Sequence, residues 1–378
     1  MAFEVVDLFC GVGGLTCGMK QAGFKVVAGF DNDKTCEYAY SFNNQTHFIC
    51  KNIREVEASD IDEYYSEGAD KILVGCAPCQ PFSTMSYKRF KSSSRELDGK
   101  YDLLKEFGRL ITSVYPSIVS MENVPEIRRS GVFKDFIKTL QDEGYYTDGG
   151  QVVYCPDYGI PQNRHRFILL ASKYGEIHLL PPTHIRRNVT VRPFIEGLPS
   201  IAAGETCKTD SLHRAASLSS INLRRIQASI PGGTWKDWPE ELRCKCHMKD
   251  TGQTYTSVYG RMSWDKIGPT MTTQFFCYGT GRYGHPEQDR ALSLREGALL
   301  QTFPQNYEFF PPEKHDYSMR DVARHIGNAV PVRLGEIIGE SIRFVNVQSF
   351  HKFKCFLFLV FNSDIHSNNS FLCLINFN

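Results

Sequence analysis

The chain has 378 residues, of which 42% are hydrophobic and 22% are charged, and its formal net charge is +1. This composition is typical of a folded globular protein and argues against a disordered chain. Because the net charge is near zero, binding to a polyanion would require the basic residues to be gathered on one face. The length allows one large domain and one smaller domain, each with a buried core.

Thirteen cysteines raise the question of disulfide bonds. The chain is too long for a small disulfide-stapled domain, and its start, MAFEVVDLFC, lacks the basic-then-apolar order of a signal peptide. No apolar stretch approaches the roughly 20 residues that a membrane helix needs. We therefore expect a soluble, cytoplasmic and monomeric protein with reduced thiols and no membrane association.

The N-terminal half alternates short apolar strands with amphipathic helices. Strands are predicted at Phe3–Leu8, Lys25–Phe30, Lys71–Val74, Ser117–Met121 and Phe167–Ala171. Helices are predicted at Leu15–Ala22, Leu103–Val114 and Val132–Glu143. This alternation predicts an α/β fold with a doubly wound, mostly parallel sheet that is covered by helices on both faces.

After Leu180, repeated prolines and glycines interrupt the chain, which predicts a second, smaller and loop-rich domain. Helical periodicity returns at Leu294–Gln301 and Val332–Phe344, so the chain is expected to return and complete the first domain. Eight phenylalanines without periodicity fall between Phe344 and Asn378, and the tail is expected to lie outside the fold. The predicted division is 1–178, 179–305, 306–345 and 346–378.

A glycine-rich turn, DLFCGVGGL (Asp7–Leu15), joins the first predicted strand to the first helix. Glycines there let the backbone approach a ligand, and the helix N-terminus offers N–H groups. Asp31 ends the second predicted strand, where a carboxylate can accept hydrogen bonds from ribose hydroxyls. The pattern indicates a nucleoside cofactor, either a nicotinamide or S-adenosylmethionine. The missing third glycine of G-x-G-x-x-G favours the latter.

Cys76 and Cys79, within GCAPCQPFS, form a C-x-x-C pair directly after a predicted strand. A redox role and a zinc-binding role are alternatives to catalysis for these cysteines, but a zinc site normally requires a second pair of ligands at similar spacing. The other dense group, Cys244, Cys246 and His247, has a C-x-C-H spacing that fits zinc poorly, so no metal site is predicted. A thiol on a rigid Pro-Cys-Gln-Pro turn at a strand's carboxyl end suits a covalent enzyme.

Two further polar motifs follow. Glu122 lies in MENVP at the end of the next predicted strand, and Arg164 and Arg166 lie in QNRHRF, which leads into another. In isolation each has a structural interpretation, as a helix N-terminal carboxylate or as surface and salt-bridge arginines.

Taken together and in order, these motifs resemble those of the cytosine-C5 DNA methyltransferases of the bacterial restriction-modification type. The ordered set is DLFCGVGGL, PCQPFS, ENVP, QNRHRF, RALSLREGALLQTFP (Arg290–Pro304) and GNAVP (Gly327–Pro331). The resemblance extends from Val5 to about Arg343. It implies a Rossmann-like methyltransferase fold, S-adenosylmethionine as methyl donor and double-stranded DNA as partner, with a possible cognate restriction endonuclease.

The resemblance also implies catalytic roles. Cys79 would add to C6 of cytosine, which makes C5 nucleophilic. Glu122 would protonate or hydrogen-bond N3, while Arg166 and Arg164 would hold O2 and stabilise the developing charge. The sequence does not identify the base that removes the C5 proton.

For the donor, the resemblance implies contacts with Phe9, Gly11, Gly13, Leu15, Asp31, Asn52, Ile53, Pro78, Asn328 and Val330. One departure stands out. The family often has Asp where this chain has Asn52, whose carbonyl can still accept a hydrogen bond from the adenine amino group, but without charge.

Because a stacked base hides C5 and C6, the target cytosine must be flipped out of the duplex. The basic segment Ser86–Lys100 is predicted to form a mobile lid that touches phosphate. The predicted DNA contacts are Gln80, Ser83, Ser86, Lys88, Arg89 and Asn123. The second domain, with a local excess of Lys and Arg from His184 to Lys249, is expected to choose the DNA sequence.

Three alternatives remain at this point. The same chemistry could act on cytosine in transfer RNA, although the sizeable segment between QNRHRF and Arg290 favours DNA. A non-catalytic DNA-binding relative is disfavoured by the intact Cys79, Glu122, Arg164 and Arg166. A nicotinamide dehydrogenase leaves the Pro78-Cys79-Gln80 turn without a role.

Overall fold

The computed structural model describes residues 2–78, 94–185, 187, 189–249, 252–313 and 316–344, and for residues 94–102 the backbone alone. Its centre is one seven-stranded sheet. The strands are β1 (Phe3–Leu8), β2 (Lys25–Asp31), β3 (His47–Cys50), β4 (Asp70–Gly75), β5 (Ile118–Asn123), β6 (Gln151–Tyr154) and β7 (His165–Ser172).

The strand order is β3-β2-β1-β4-β5-β7-β6. Strands β1 to β5 pair in parallel, whereas β7 runs antiparallel to both β5 and β6. The predicted mostly parallel α/β sheet is therefore confirmed. The antiparallel β7 has a functional consequence, because its amino end lies at the same edge as the carboxyl end of β5.

Ten helices accompany the sheet in the described residues. They are α1 (Gly14–Gln21), α2 (Glu37–Asn44), α3 (Ala58–Asp62), α4 (Ser94–Val114), α5 (Gly131–Asp142), α6 (Arg192–Ile195), α7 (Ser220–Gln227), α8 (Leu294–Leu300), α9 (Met319–Asn328) and α10 (332–344). None of the described helices is long and apolar enough to cross a membrane.

Side-chain alternation along β1 explains the two buried faces of the sheet. Val6 joins the cluster formed with α4 and α5, whereas Val5 joins the cluster formed with α1 and α10. Alternation with period two sends successive side chains to opposite faces. Helix α10 can lie close to α1 because Gly18 has no side chain; a Cβ there would stand 2.3 Å from the Val332 carbonyl oxygen. The returning C-terminal helix is thus part of the main core.

The five predicted strands are present, but β3 and β6 were not predicted. Both are four residues long and partly exposed, so neither carries an apolar run. Helix α4 begins at Ser94 rather than at the predicted Leu103. The end of the predicted lid, residues 94–100, is therefore helical. Helices α2, α3, α6, α7 and α9 were also missed.

The region after 179 contains two kinds of core. A small cluster belongs to this region alone and includes Ile226, Trp235, Trp238, Leu242, Tyr278 and Ala291. A larger cluster joins α6 and α8 to α9 and to Val12 of the first turn. The predicted boundaries of the domains remain predictions, and the tail 346–378 lies outside the described residues.

Candidate active site

The sheet brings the segments that carry the predicted site residues to one edge. The carboxyl ends of β1, β2, β4 and β5 meet there, together with the amino end of β7. A cavity of about 410 Å³ opens at this edge, a volume typical of a small-molecule site. Eleven of the predicted residues line it: Phe9, Gly11, Leu15, Asp31, Pro78, Glu122, Asn123, Arg164, Arg166, Asn328 and Val330.

Three residues predicted to contact the donor do not line this cavity. Gly13 adopts φ +87°, and a Cβ on it would stand 2.4 Å from Nδ2 of Asn44. Asn52 accepts a hydrogen bond from the Arg54 backbone N–H at 3.2 Å and so caps a short 3₁₀ turn, and Ile53 is buried in the core. Gly13 is required for close packing, and the donor contacts of all three remain predictions.

Asp31 holds the glycine-rich turn in shape. Its carboxylate accepts hydrogen bonds from the backbone N–H of Gly11 and of Asp33, each at 2.9 Å. Burial raises the pKa of Asp31. Phe9 adopts φ +60° and Gly11 φ +49° in this turn, and a strained non-glycine backbone of this kind is concentrated at functional sites. The turn is preorganised by a carboxylate that still has lone pairs toward the cavity.

Asp7 is a site residue that sequence reasoning missed. Its side chain is 1% exposed, and Oδ2 accepts a hydrogen bond from the Thr16 hydroxyl at 2.7 Å. Its other oxygen, Oδ1, has no hydrogen-bond partner among the described residues, and the residue lines the cavity. Burial raises the pKa of Asp7 to about 7. An unsatisfied buried oxygen calls for an explanation, and the available signal was its place at the head of DLFCGVGG.

Glu122 is held between two neighbours. Its carboxylate is 3% exposed, with Oε1 at 2.8 Å from Nε of Arg166 and Oε2 accepting a hydrogen bond from the Cys76 thiol at 2.7 Å. The antiparallel pairing of β5 with β7, which sets Glu122 opposite Ile168, brings Arg166 into reach. The predicted grouping of Glu122 with Arg166 is present in the structure. The Cys76 contact was not predicted.

Arg164 is a buried cation that faces the cavity. It is 4% exposed, and Nη1 donates to the Met271 carbonyl at 3.1 Å, while Nε has no partner among the described residues. Burial, reinforced by the nearby Arg166, lowers the pKa of Arg164 to about 10, so the group stays charged at neutral pH. A buried guanidinium with unused N–H groups is suited to binding an oxygen acceptor of a ligand.

Asn123 ties two of the motifs together. Its Nδ2 donates to the Ala77 carbonyl at 3.2 Å, and its Oδ1 accepts from the Val124 backbone N–H at 2.8 Å. The amide therefore anchors the segment before Cys79 to the end of β5, and a DNA contact by Asn123 remains a prediction. Six predicted residues lie outside the described part of the chain: Cys79, Gln80, Ser83, Ser86, Lys88 and Arg89.

A buried amide network joins the later motifs. Gln162 donates from Nε2 to Oε1 of Gln301 at 2.7 Å and accepts from the Met271 N–H at 2.8 Å. Gln301 in turn donates to the carbonyls of Ile326 and Ala329 at 2.7 and 3.1 Å. Both glutamine side chains are fully buried. The network fixes the end of α9 relative to Arg164, and sequence reasoning missed it.

Helix α9 forms another wall of the cavity through Arg324, His325 and Gly327, none of which was predicted. Arg324 forms an ion pair with Asp33, which lies two residues after the end of β2. A Cβ on Gly327 would stand 2.4 Å from the Thr272 backbone, so only glycine allows this approach. The predicted Asn328 and Val330 reach the cavity because of that packing.

The sheet order, with β7 as its antiparallel strand, and the glycine turn at the cavity define a Rossmann-like methyltransferase fold. Solved structures agree. DNMT2 of Spodoptera frugiperda superposes with a TM-score of 0.61 and 16% identity, covering 91% of this chain and 99% of that one. An Escherichia coli prophage protein described as a DNA modification methyltransferase gives 0.68 and 22%, covering 91% and 99%.

The family is defined by sequence. Residues 3–343 match the model of the C-5 cytosine-specific DNA methylases. The type II methylase M.HgiDII of Herpetosiphon aurantiacus is 53% identical, covering 91% of this chain and 96% of its own. The type II methyltransferase M.PspPI of a Psychrobacter strain is 30% identical, covering 90% and 79%. The chain belongs to the C-5 cytosine-specific DNA methylases, as its ordered motifs predict.

Proposed function

We propose that the enzyme transfers a methyl group from S-adenosylmethionine to C5 of a cytosine flipped out of a specific duplex DNA sequence. The observation that carries this proposal is one cavity that joins the glycine turn of Gly11 to the Glu122, Arg164 and Arg166 side chains. Donor and base would then meet in a single space, at the sheet edge where open α/β folds bind ligands.

The residues around the turn fit the donor. A Cβ on Gly11 would meet no heavy atom within 4 Å, so the backbone borders open space. Asp31 would accept from ribose hydroxyls, and the unsatisfied Oδ1 of Asp7 would face the cationic part of the molecule. S-adenosylmethionine, when bound, supplies an electrophilic methyl group on a sulfonium sulfur.

The opposite wall fits the base. Arg164 would donate its unused N–H groups to cytosine O2, where negative charge builds during addition. Glu122 would present a proton or hydrogen bond to N3, with Arg166 orienting it at 2.8 Å. Oε2 of Glu122 also accepts a hydrogen bond from the Cys76 thiol, which helps to orient the carboxylate.

Cys79 is the proposed nucleophile. Addition of its thiolate to C6 makes C5 an enamine carbon that can take the methyl group, and loss of the C5 proton and then of the thiolate restores the ring. Pro78, the last described residue before it, lines the cavity. This position of Pro78 supports the proposed role of the residue that follows it in the sequence.

Extrusion of the base follows from the chemistry, because C5 and C6 are inaccessible inside a stacked duplex. The DNA contacts of Gln80, Ser83, Ser86, Lys88 and Arg89 belong to this proposal, as does a cognate endonuclease for the same site. Family membership supports DNA over transfer RNA as substrate.

Bisulfite sequencing of DNA from cells that express the enzyme tests the proposal, with an Arg164→Met variant as control. We expect methylated cytosine in one short sequence context for the wild type and background levels for the variant. Parallel assays on duplex DNA and transfer RNA with labelled donor should show incorporation into DNA. Incorporation into transfer RNA alone would overturn the proposed substrate.

A further inference from the structure

A second cluster of reactive side chains lies far along the chain from the catalytic motifs. Cys244, Cys246 and His247 each offer a ligand atom, and these atoms lie within 4.8 Å of one another. A tight turn assembles them, since the His247 N–H donates to the Cys244 carbonyl at 2.9 Å. The spacing alone argued against a metal, but the folded turn makes the three side chains converge.

The environment of the His247 side chain is a second observation that indicates a ligand at this cluster. The imidazole is 3% exposed and stacks on Trp235, with ring centroids 4.3 Å apart and an interplanar angle of 19°. Its Nδ1 is buried without a hydrogen-bond partner among the described residues. The ring therefore has an unused nitrogen, and an imidazole nitrogen can bind a metal ion.

Neighbouring side chains hold the cysteine and histidine cluster in place. Tyr259 lies within hydrogen-bonding reach of the Cys244 thiol, and its ring packs edge-on against Trp238 at 5.9 Å. Groups that hydrogen-bond to a metal ligand orient it. Cys246 is exposed, which leaves one side of the cluster open to water.

We propose that Cys244, Cys246 and His247 bind one Zn²⁺ ion, with water in the fourth position. Two thiolates and one imidazole are ligands that zinc prefers. Zinc–sulfur bonds of about 2.3 Å and zinc–nitrogen bonds of about 2.0 Å place tetrahedral ligands roughly 3.5–3.8 Å apart, within the observed spread. Each thiol would release its proton on binding.

The ion would have a structural role. It would pin the turn that carries the exposed Lys245 and Lys249 to the small aromatic core around Trp235. Among the described residues, Asp33, Cys36 and His325 form another such group, but Arg324 already pairs with Asp33, and the group lines the candidate active-site cavity. The zinc proposal is independent of the proposed catalytic roles.

Metal analysis of the purified full-length enzyme tests the proposal. We expect about one zinc ion per chain for the wild type and at least a fivefold loss in Cys246→Ser. That side chain is exposed, so its substitution removes no buried packing. Cys277→Ser, a partly buried thiol of the same region, is the matched control and should keep its zinc.

Cobalt provides a second readout that does not depend on methylation. Co²⁺ added to chelator-treated wild type should give a sulfur-to-cobalt charge-transfer absorption, which Cys244→Ser and Cys246→Ser should weaken and Cys277→Ser should retain. Circular dichroism confirms that each variant is folded. A folded wild type that holds neither zinc nor cobalt, or a Cys246→Ser variant that binds both as well, would overturn the proposal.

Discussion

The sheet edge and the small aromatic core differ in how their residues are positioned. At the sheet edge, the catalytic candidates sit at strand ends, and strand register sets their neighbours, as with Glu122 opposite Ile168. Around Trp235 and Trp238, short turns and ring stacking position the side chains. The proposed chemistry therefore depends on regular strands and their register, whereas the region expected to choose the DNA sequence depends on turns and ring contacts.

The largest expected effect is at the sheet edge. Glu122→Gln removes the proton donor proposed for N3 but keeps the shape, so we expect a 10²–10³-fold fall in kcat. Steady-state methylation with labelled donor measures it, and Glu126→Gln, four residues along the chain, should stay within about twofold. A Glu122→Gln enzyme with near wild-type kcat would remove this residue from the mechanism.

The second-largest effect is expected in the Gln162–Gln301 network, which joins the two regions. Gln301→Leu leaves the Ile326 and Ala329 carbonyls without their side-chain donor and removes one of the two acceptors of the Gln162 Nε2 group. Because unsatisfied buried polar groups are costly, we expect a loss of about 2–3 kcal/mol in the free energy of unfolding. Urea denaturation checks this, with the exposed Gln141→Leu as control. Equal stability of the two variants would show that the network does not join the regions.

The stability of the folded chain should depend on pH because of Asp7, a buried carboxyl at the sheet edge. Asp7 has a folded pKa of about 7, raised by burial from 3.8. The folded chain therefore holds this proton more tightly than the unfolded chain, and stability is lost as pH rises from about 4 to 7.

Asp7→Asn avoids that loss. At pH 8 the variant should be more stable than the wild type by on the order of 2 kcal/mol, and the difference should shrink toward pH 4. Denaturation at both pH values measures it, with Asp142→Asn on the surface of α5 as control. A difference that does not change with pH would contradict the raised pKa of the buried Asp7 carboxyl.

The smallest effect is expected in the second region. Lys245→Ala combined with Lys249→Ala should weaken DNA binding a few-fold and reduce the slope of log affinity against log salt by about 1–2. Fluorescence anisotropy at several salt concentrations checks this. The double variant Lys134→Ala and Lys138→Ala, on exposed α5 positions, should leave the slope unchanged. An unchanged slope in the first pair would remove that turn from the DNA surface.

Much of the sheet and the grouping of Glu122 with both arginines followed from motif order, because those side chains flank strands with clear apolar runs. Strands β3 and β6 were not predicted because both are short and partly exposed. Asp7 was not predicted as a site residue because the feature that marks it is an oxygen without a hydrogen-bond partner. That feature depends on packing rather than on residue type.

The second region was predictable only in outline. The convergence of Cys244, Cys246 and His247 depends on a turn and on stacking with Trp235, and neither is encoded in spacing. The Gln162–Gln301 contact joins residues 139 positions apart. Such contacts arise from tertiary packing, which local pattern does not specify.

The most direct test of the account is covalent trapping at Cys79. In duplex DNA with 5-fluorocytosine at the target site, fluorine replaces the proton that must leave C5, so the adduct cannot resolve. With donor present, wild type and Cys76→Ser should form a complex that survives denaturation, and Cys79→Ser should form none. Trapping by Cys79→Ser, or a peptide cross-linked through Cys76, would contradict the account.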